Sequence, residues 1–431
     1  MSKLLKIDLR SILRYSFLHH MLNLTDIVSY FFLFATIYFN VFLLITFFEK
    51  KSSIKEEERS EPRNFRSVTI IVPVYNEENT IRQTLESLLN LDYPKEKLKF
   101  IVVDDGSTDK TANVIKTFGR YSQFEIHSKE NGGKFSALNL GIAKTKTDLV
   151  GCLDADSFVQ EDTLKKIVKY FDNPEIMAVT PAIKIYKPNN LIRKLQSSEY
   201  NLGIFLKKAL ALINGITVTP GPFSIFRKKV FDEIGGFRPA HNTEDMEIAF
   251  RMHKHNYKIT NSHQAVVYTS GPASYRALYK QRVRWMRGFM GNAIDYRFLF
   301  LRKKYSGVGM FILPFSALSI IGVLVMLALV LNNFARFLID KFIQINTIGL
   351  NFNWRFSFDL FFVDASAKII LATGLLILTV ILIGYGRKIS EKKISISLHS
   401  LYFPLVYSVL AIPWLLKAVY LTVVSKEARW K

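Results

Sequence analysis

Two aspartates near the middle of the chain, Asp154 and Asp156, follow a short apolar run and are separated by a single alanine. Carboxylates held this close repel each other unless a cation or hydrogen bonds compensate their charge. Mg²⁺ and Mn²⁺ favour carboxylate oxygens and complete their coordination with phosphate oxygens and water. The pair therefore predicts a Mg²⁺ or Mn²⁺ site for a phosphate-bearing substrate, although either aspartate alone could equally cap a helix.

Further acidic and aromatic side chains stand at the ends of two earlier apolar runs, at 67–75 and 99–104. Both runs are predicted to be buried strands, and ligands of parallel α/β sheets bind just outside the carboxyl ends of the strands. We therefore expect these side chains to share one sheet edge with Asp154 and Asp156. They are Tyr75, Glu77, Asp104 and Asp105.

The region from about 66 to 300 alternates β-rich runs with runs of helical spacing, such as Ile81, Leu85 and Leu88. Continuous apolar strands that alternate with helices indicate an α/β fold with a mostly parallel sheet and helices on both faces. Strands are predicted at 67–75, 99–104, 123–127 and 148–153, and helices at 78–90, from 109, at 134–144 and from 161.

Hydrophobic residues make up 49% of the 431 residues, and they gather near the N-terminus and in the last third. A helix needs about 20 apolar residues to cross a bilayer. The fourth long apolar run contains Pro404, Pro413 and Lys417 and could form a broken or tilted helix. Residues 49–66 are charged and polar and are predicted to be a solvated linker. The predicted α-helical transmembrane spans are 27–48, 308–332, 367–385 and 401–424, after an N-terminal segment at 1–26.

The formal charge of +22 reflects the many Lys and Arg residues that flank the apolar runs. Positive loops favour the cytoplasmic side of a membrane. A basic cytoplasmic loop at 387–393 is consistent with four spans, a cytoplasmic middle domain and both termini outside, whereas the basic residues near the N-terminus argue against this orientation. No nucleic-acid-binding motif accompanies the charge, so no nucleic acid partner is expected. The single cysteine, Cys152, excludes an internal disulfide and a cysteine metal cluster.

Six motifs, in this order, resemble those of the family 2 glycosyltransferases with a GT-A fold. They are VPVYNE (72–77), VVDDGSTD (102–109), GGKFSALN (132–139), DADS (154–157), TED (243–245) and QRVRW (281–285). Within that family the sequence is most similar to the membrane-integrated cellulose, chitin, hyaluronan and poly-N-acetylglucosamine synthases. The resemblance implies a GT-A domain over 66–300 in a multi-pass protein of the cell membrane, with its catalytic domain in the cytoplasm.

The resemblance also implies a role for each matching side chain. On the nucleotide side, Tyr75 and Glu77 line the base pocket, and Asp104 and Asp105 lie near the uracil and ribose. Lys134 lies near the base or the diphosphate, Asp154 meets the nucleoside side, Asp156 binds the metal beside Asp154, and Asp245 is the general base. In relatives, a stretch similar to residues 221–229 lies near the acceptor.

A general base at Asp245 is chemically reasonable, because a sugar hydroxyl is a poor nucleophile and a positioned carboxylate can accept its proton. Attack from the side opposite to the departing nucleotide diphosphate would invert the anomeric carbon. The segment Thr243-Glu244-Asp245 is also typical of a helix N-terminus, with a capping threonine and acids that match the helix dipole. The two interpretations are compatible, since the start of a helix would hold Asp245 rigidly.

In QRVRW, the side chains of Gln281, Arg284 and Trp285 share one face of a helix. Arg284 can pair with a phosphate through two hydrogen bonds, and Trp285 offers a flat apolar face to a sugar ring. The alternative is a basic amphipathic helix whose arginines, Arg282 among them, face lipid headgroups. Helices near 191–213 and 275–300 are predicted to lie in the membrane interface and to connect the catalytic domain to the spans.

Together these features predict a membrane-bound inverting glycosyltransferase that adds a hexose or N-acetylhexosamine from a nucleotide-sugar, with UDP as the expected nucleotide, to a growing polysaccharide. Two alternatives stay open: transfer of a single sugar to a polyprenyl-phosphate or lipid acceptor, and a catalytically dead membrane scaffold. The scaffold is disfavoured because Asp154, Asp156 and Asp245 are all present. The expected partners are the nucleotide-sugar donor, a glycan or lipid-linked acceptor and the lipid bilayer, and the sequence leaves protein partners open.

Overall fold

The computed structural model describes residues 24–348, 366–392 and 396–424. The chain divides into two compact units. One contains Met1–Phe42 and Phe315–Leu375, and the other contains Leu43–Pro314 and Leu376–Lys431. The motifs of the sequence all lie in the second unit.

Long helices dominate both ends of the chain, and strands alternate with helices between them. The helices are α1 (Leu24–Glu49), α2 (Lys51–Arg59), α3 (Ile81–Leu89), α4 (Thr111–Lys116), α5 (Lys134–Lys144), α6 (Thr163–Val168), α7 (Leu191–Leu212), α8 (Lys228–Ile234), α9 (Glu244–Lys254), α10 (Tyr275–Asp295), α11 (Leu313–Ile348), α12 (Ala367–Glu391) and α13 (Leu398–Val424). The strands are β1 (Val68–Val74), β2 (Leu98–Asp104), β3 (Phe124–Ser128), β4 (Leu149–Cys152), β5 (Ser157–Val159), β6 (Ile176–Ile185), β7 (Ser224–Arg227) and β8 (Lys258–Thr269). Short 3₁₀ turns lie at Lys95–Lys97, Thr117–Arg120, Lys169–Asp172, Ala240–Asn242, Arg297–Leu299 and Lys303–Tyr305, and a π-helical turn at Val308–Ile312 precedes α11.

The eight strands form one sheet in the order β3-β2-β1-β4-β7-β6-β8-β5. Strand β1 lies between β2 and β4 and is parallel to both, with Val68 opposite Leu98 and Leu149. The half that begins at β3 is therefore parallel, as predicted. The other half is mixed, because β7 runs antiparallel to β4 and β6, and β5 runs antiparallel to β8. The parallel arrangement brings the carboxyl ends of β1, β2 and β4 to one edge.

Apolar side chains cover both faces of the sheet, since β1 and β4 are buried at every position. On one face, Ile70 packs in the same core as Leu85 of α3. On the other, Ile71 packs with Ala137 of α5. Helix α5 lies very close to this face, because a β-carbon on Gly141 would be 2.5 Å from Ile71 Cγ2. Helices therefore cover both faces, as the continuous apolar strands predict.

Most residues of the predicted solvated linker at 49–66 are exposed, but the segment also contains helix α2, which was not predicted, and it is tied to the sheet domain. The Glu57 carboxylate accepts a hydrogen bond of 2.6 Å from the ammonium of buried Lys208. Glu58 pairs with the buried His263 ring at 2.8 Å. Glu57 and Glu58 thus pair with groups that are buried more than a hundred residues further along the chain.

Four helices of the described residues are long and apolar enough to cross a membrane: Thr25–Glu49, Val308–Thr347, Ala367–Glu391 and Leu398–Val424. Each overlaps a predicted span, and most of the predicted segment at 1–26 lies outside the described residues. The second helix has 40 residues and extends well beyond the apolar run at 308–332. The fourth runs without interruption through its two prolines, so it is not broken.

Helix α7 connects the sheet to two of these long helices. It packs on β6 and β8 with one side and on α13 with another. Its contact with α12 is very close, because a β-carbon on Gly386 would lie 1.8 Å from the Asn201 carbonyl oxygen. The Ser198 and Ser400 hydroxyl oxygens are 3.2 Å apart. Helix α7 therefore packs between the sheet and two of the long apolar helices.

Candidate active site

A cavity of about 440 Å³ lies at the carboxyl edge of β1, β2 and β4. The segments that follow these strands form its walls, together with the loop before α5. Six of the predicted site residues line it: Tyr75, Glu77, Asp105, Lys134, Asp154 and Asp156. The predicted convergence of strand ends on one pocket is therefore present in the fold.

The two adjacent aspartates after β2 have different contacts. The buried Asp105 carboxylate accepts hydrogen bonds from the backbone N–H groups of Gly132 at 3.1 Å and Gly133 at 2.8 Å. Asp105 therefore orients the loop that precedes α5, and Gly133 has a φ of 87°, which favours glycine. The Asp104 carboxylate instead accepts from the N–H of Ser107 at 3.0 Å and does not line the cavity.

Lys134 is the first residue of α5, and its ammonium joins two motifs. Its Nζ lies 2.6 Å from Asp154 Oδ1 and 3.3 Å from Glu244 Oε1. Burial opposes the charged form of Lys134, but Asp154 and Glu244 raise the pKa of this ammonium well above its usual range. Lys134 is therefore a permanent cation between the DADS and TED motifs. No signal in the sequence distinguished Glu244 as its second partner.

The backbone at Gly221 lies directly against this ion pair. A β-carbon on Gly221 would be 2.5 Å from both Asp154 Oδ1 and Lys134 Nζ. Only glycine fits there without displacing one of the two side chains. The stretch at 221–229 was predicted to lie near the acceptor, and its first residue contacts the Asp154 side of the cavity.

The Asp154 and Asp156 carboxylates fit a divalent cation. Burial, and then repulsion from Asp154, raises the pKa of Asp156 to about 6. Asp154 Oδ1 is buried and, in the part of the chain that is described, receives no hydrogen bond besides its ionic contact with Lys134. No three His, Cys, Asp or Glu side chains of the described residues form a complete metal cluster. Two carboxylates would thus supply part of the coordination, and diphosphate oxygens and water the rest, as Mg²⁺ prefers.

Asp245 lies in the first turn of α9, beside the same charges. Burial, and then repulsion from Glu244, raises the pKa of Asp245 to about 6, while the cations Lys134 and Arg284 oppose that rise. Asp154 also acts on it, in the raising direction. Lys134, Arg284 and Asp154 are therefore all within electrostatic reach of Asp245.

Helix α10 holds the start of the TED segment through close packing. A β-carbon on Gly288 would lie 2.3 Å from the Thr243 hydroxyl oxygen, and the Asn292 amide donates a hydrogen bond of 3.0 Å to that oxygen. The predicted Thr243 helix cap is absent, because this hydroxyl donates to the Ala240 carbonyl instead. Arg284 reaches the same segment and donates to the Asn242 carbonyl at 3.0 Å.

The other two predicted residues of QRVRW contact Arg282 rather than the cavity. Its guanidinium lies 4.3 Å above the Trp285 ring and donates to Gln281 Oε1 at 3.1 Å. It also pairs with Glu199 of α7 at 2.5 Å and donates to the Tyr407 hydroxyl of α13 at 3.0 Å. Arg282 is buried, so the alternative in which it faces lipid headgroups is wrong.

The sequence is similar to a known protein family and to two staphylococcal enzymes. The family model "Glycosyl transferase family 2" matches residues 69–235. A poly-beta-1,6-N-acetyl-D-glucosamine synthase from Staphylococcus epidermidis is 30% identical over 292 residues, which are 67% of this chain and 70% of that protein. The enzyme of that name from Staphylococcus aureus strain MSSA476 is 31% identical over 300 residues, which cover 68% of this chain and 72% of that protein.

Among solved structures, a mannosyltransferase from Pyrobaculum calidifontis in complex with GDP-Man and Mn²⁺ has a similar fold. Its TM-score is 0.59 at 19% sequence identity, and the match covers 92% of this chain and 100% of that chain. The similarity confirms the predicted GT-A architecture. Since the sequence similarity to the two synthases extends across most of both chains, this protein is a glycosyltransferase and belongs to glycosyl transferase family 2.

Proposed function

We propose that this protein is a membrane-embedded inverting glycosyltransferase that extends a polysaccharide with N-acetylglucosamine from a UDP-sugar. The observation that carries the proposal is the contact of the Lys134 ammonium with Asp154 at 2.6 Å and with Glu244, the neighbour of Asp245, at 3.3 Å. This contact brings a cation for the diphosphate, a carboxylate for the metal and the segment of the proton acceptor together in one site. The sugar and the polymeric product are suggested by the two synthases that are 30% and 31% identical to this chain.

On the acceptor side, Asp245 accepts the proton of the attacking hydroxyl. Its pKa of about 6 leaves it ionised at neutral pH while making it a better base than an ordinary aspartate. A carboxylate on the face opposite to the leaving group gives inversion at the anomeric carbon. The backbone N–H and hydroxyl of Thr219 both donate to the Asp245 carbonyl oxygen at 3.0 Å, so the residue is held at its main chain.

On the donor side, Tyr75 and Glu77 line the end of the cavity that would receive the nucleotide base. Lys134 supplies a fixed positive charge for the diphosphate, since its pKa is raised by the surrounding carboxylates. A divalent cation held by Asp154 and Asp156 would neutralise the charge that develops on the leaving diphosphate. Arg284 would add a second cationic donor to the same group.

A hydroxyl acceptor is more consistent with this site than a polyprenyl phosphate. A phosphate is already ionised and needs no base to become a nucleophile. The adjacent carboxylates Glu244 and Asp245 would also repel a phosphate that approached the reacting position. We therefore favour a glycan hydroxyl as the nucleophile, and a single transfer to a lipid phosphate is an outcome that the experiment must distinguish.

We further propose that the four long apolar helices cross the cell membrane and that the sheet domain lies in the cytoplasm. Nucleotide-sugars are present on that side. The hydropathy of the four helices is between 1.6 and 2.5, and each has at least 25 residues, which is sufficient to span a bilayer.

The test is a donor panel on purified full-length protein in detergent, with UDP-GlcNAc, UDP-glucose and GDP-mannose, each with Mg²⁺, Mn²⁺ or chelator. Mass analysis of the products should give a ladder that grows by one N-acetylhexosamine per step, only with UDP-GlcNAc and metal. A single lipid-extractable product would contradict polymer synthesis. Donor binding without any transfer, to glycan or lipid, would support the scaffold alternative.

A further inference from the structure

A second cavity, of about 480 Å³, shares no lining residue with the cavity of the candidate active site. Helix α5 contributes Ile142 to its wall, helix α8 contributes Lys228 and helix α9 contributes Arg251. The first turns of α5 and α9 carry Lys134 and Asp245, so the same two helices serve both cavities. Sites for small molecules usually have volumes of about 300–1,000 Å³. The second cavity is therefore large enough for a ligand of its own.

Hydrogen bonds fix the loop at 235–238, which lines the second cavity between α8 and α9. The Asn139 amide of α5 donates to the Phe237 carbonyl at 2.9 Å, and its oxygen accepts from the Phe237 N–H at 2.8 Å. From the other side, Arg251 donates to the Gly236 carbonyl at 2.7 Å. The loop is thus held by both helices, and the cavity has the preformed walls that are usual for a binding site.

The charged side chains that line the second cavity are mostly cationic. Lys228, Arg238 and Arg251 line it, against the carboxylate of Asp232. Arg251 is buried and pairs with Glu247 at 2.9 Å, which balances its charge. Its Nε–H is also buried and has no hydrogen-bond partner within the described part of the chain. A buried donor of this kind calls for a partner such as a bound water or ion.

Arg238 and Lys228 are the two cations that an anion in this cavity can bind. The Arg238 side chain is 60% exposed, and its guanidinium lies 3.9 Å from the Glu247 carboxylate. Lys228 pairs with Asp232 one turn further along α8, where Asp232 is itself largely exposed. Exposed ion pairs contribute little free energy, so a ligand can compete with both contacts at low cost.

The second cavity also has an apolar part, formed by the buried Ile142 and Phe237. We infer that it binds a phosphate monoester, such as a sugar phosphate or a nucleoside monophosphate. The phosphate, which carries nearly two negative charges at neutral pH, binds to Arg238 and Lys228, and the organic part packs on Ile142 and Phe237. No step of the proposed sugar transfer uses this cavity, so the inference does not rest on the proposed function.

The test is isothermal titration of purified full-length protein in detergent, with saturating UDP and Mg²⁺ present to occupy the first cavity. The titrants are glucose 6-phosphate, AMP, inorganic phosphate and glucose. We expect saturable binding of at least one of the two esters. Its Kd should be at least about tenfold below the Kd of inorganic phosphate, which lacks an apolar part, and of glucose, which lacks the charge.

Helix α8 offers a matched pair of variants. Lys228 and Lys229 each form an ion pair with an acid four residues later, but of the two only Lys228 lines the cavity. Lys228→Gln and Arg238→Gln should each raise the Kd of the ester by about five- to tenfold. Lys229→Gln should leave it within about twofold of wild type. Asp232→Asn should lower it, because it removes the acid that competes for Lys228.

Three outcomes overturn the inference: no saturable binding of either ester, glucose binding as tightly as the esters, or equal Kd values in Lys228→Gln and Lys229→Gln. Thermal unfolding midpoints equal to that of the wild type establish that the variants are folded. Failure of the proposed function is distinguishable, because it is seen as a lack of sugar transfer, whereas this experiment measures binding without turnover.

Discussion

Asp245 experiences two opposing influences within the first turn of α9. Burial and Glu244 disfavour its charged form, whereas Lys134 and Arg284 favour it, and the balance gives a pKa of about 6. An aspartate with a raised pKa is a stronger base than an ordinary aspartate, provided that the pH keeps it ionised. We therefore expect the protonation of Asp245 to set the lower pH limit of activity.

We expect kcat, measured at saturating donor, acceptor and metal, to be constant above about pH 7 and to fall as the pH drops through about 6. The direction follows because protonated Asp245 has lost the negative charge that makes it a base, and its raised pKa brings protonation to a higher pH. Saturating metal separates this effect from protonation of Asp156, whose pKa is also raised to about 6. A kcat that stays constant down to pH 5 would contradict the assignment.

Asp245→Asn removes the base while keeping the shape of the side chain. We predict a loss of about 10²–10⁴ in kcat, the usual contribution of a general base. Donor affinity, measured by isothermal titration with UDP-GlcNAc and Mn²⁺, should change little because the base acts on the acceptor. Loss of donor affinity in proportion to kcat would show instead that Asp245 serves the donor.

Gly221→Ala tests the close contact over the Asp154–Lys134 pair. The new methyl group would lie 2.5 Å from both charged atoms, so one of them must move. We expect kcat/KM for the donor to fall at least about tenfold, a cost of at least about 1.4 kcal/mol. Gly119→Ala is the control, since its β-carbon would have an ordinary contact of 3.5 Å with Ile126. Equal activity of the two variants would refute the steric argument.

At the scale of elements, helix α10 joins three parts of the second unit through one buried residue. Arg282 pairs with Glu199 on α7 and Tyr407 on α13, and it also stacks on Trp285. Removal of one partner of a buried pair leaves the other charge uncompensated, which costs more than the pair contributes. The packing of α7, α10 and α13 is therefore expected to depend on this cluster.

A double-mutant cycle on Arg282→Met and Glu199→Gln measures that dependence. We expect each single variant to lower the thermal unfolding midpoint in detergent, and the double variant to lose less than the sum. The coupling should be about 1–3 kcal/mol, in the range for directly contacting buried groups. Additive losses would mean that the ion pair does not hold the helices together.

The elements that the sequence predicted well are those with a continuous local signal. Strand β1 and helix α5 follow from an apolar run and from helical spacing, and the edge that carries Asp154 follows from the parallel connections. Helix α2 was not predicted, because the cations that neutralise its acids, Lys208 among them, are far away in the sequence. Short strands such as β7 have too few residues for a clear alternation.

The sequence motifs identified residues of the site, but they did not predict the contacts between those residues. Helical periodicity grouped Gln281, Arg284 and Trp285 on one face, yet the residue that is buried is Arg282. Periodicity defines faces and does not say which face a distant helix will cover. The ion pair of Glu244 with Lys134 and the close packing of Thr243 against Gly288 also depend on tertiary structure. Such contacts leave no local pattern in the sequence.

At the scale of the whole molecule, the proposed orientation can be tested by labelling cysteines in intact cells. The native Cys152 is buried and should react little with a membrane-impermeant maleimide. We expect Lys341→Cys, near the far end of α11, to be labelled from outside, and Lys388→Cys, near the end of α12, to be labelled only after permeabilisation. The reverse pattern would put the sheet domain outside and contradict the proposed function.

The helix Val308–Thr347 is longer than the thickness of a bilayer requires. At 1.5 Å per residue its 40 residues measure about 60 Å, whereas the hydrocarbon layer is about 30 Å thick. To fit entirely inside, it would have to incline by about 60°, beyond the usual limit of about 40°. If residues 308–332 cross the bilayer as proposed, the remainder is a rod in the extracellular water, bearing the exposed rings of Phe334, Phe337 and Phe342.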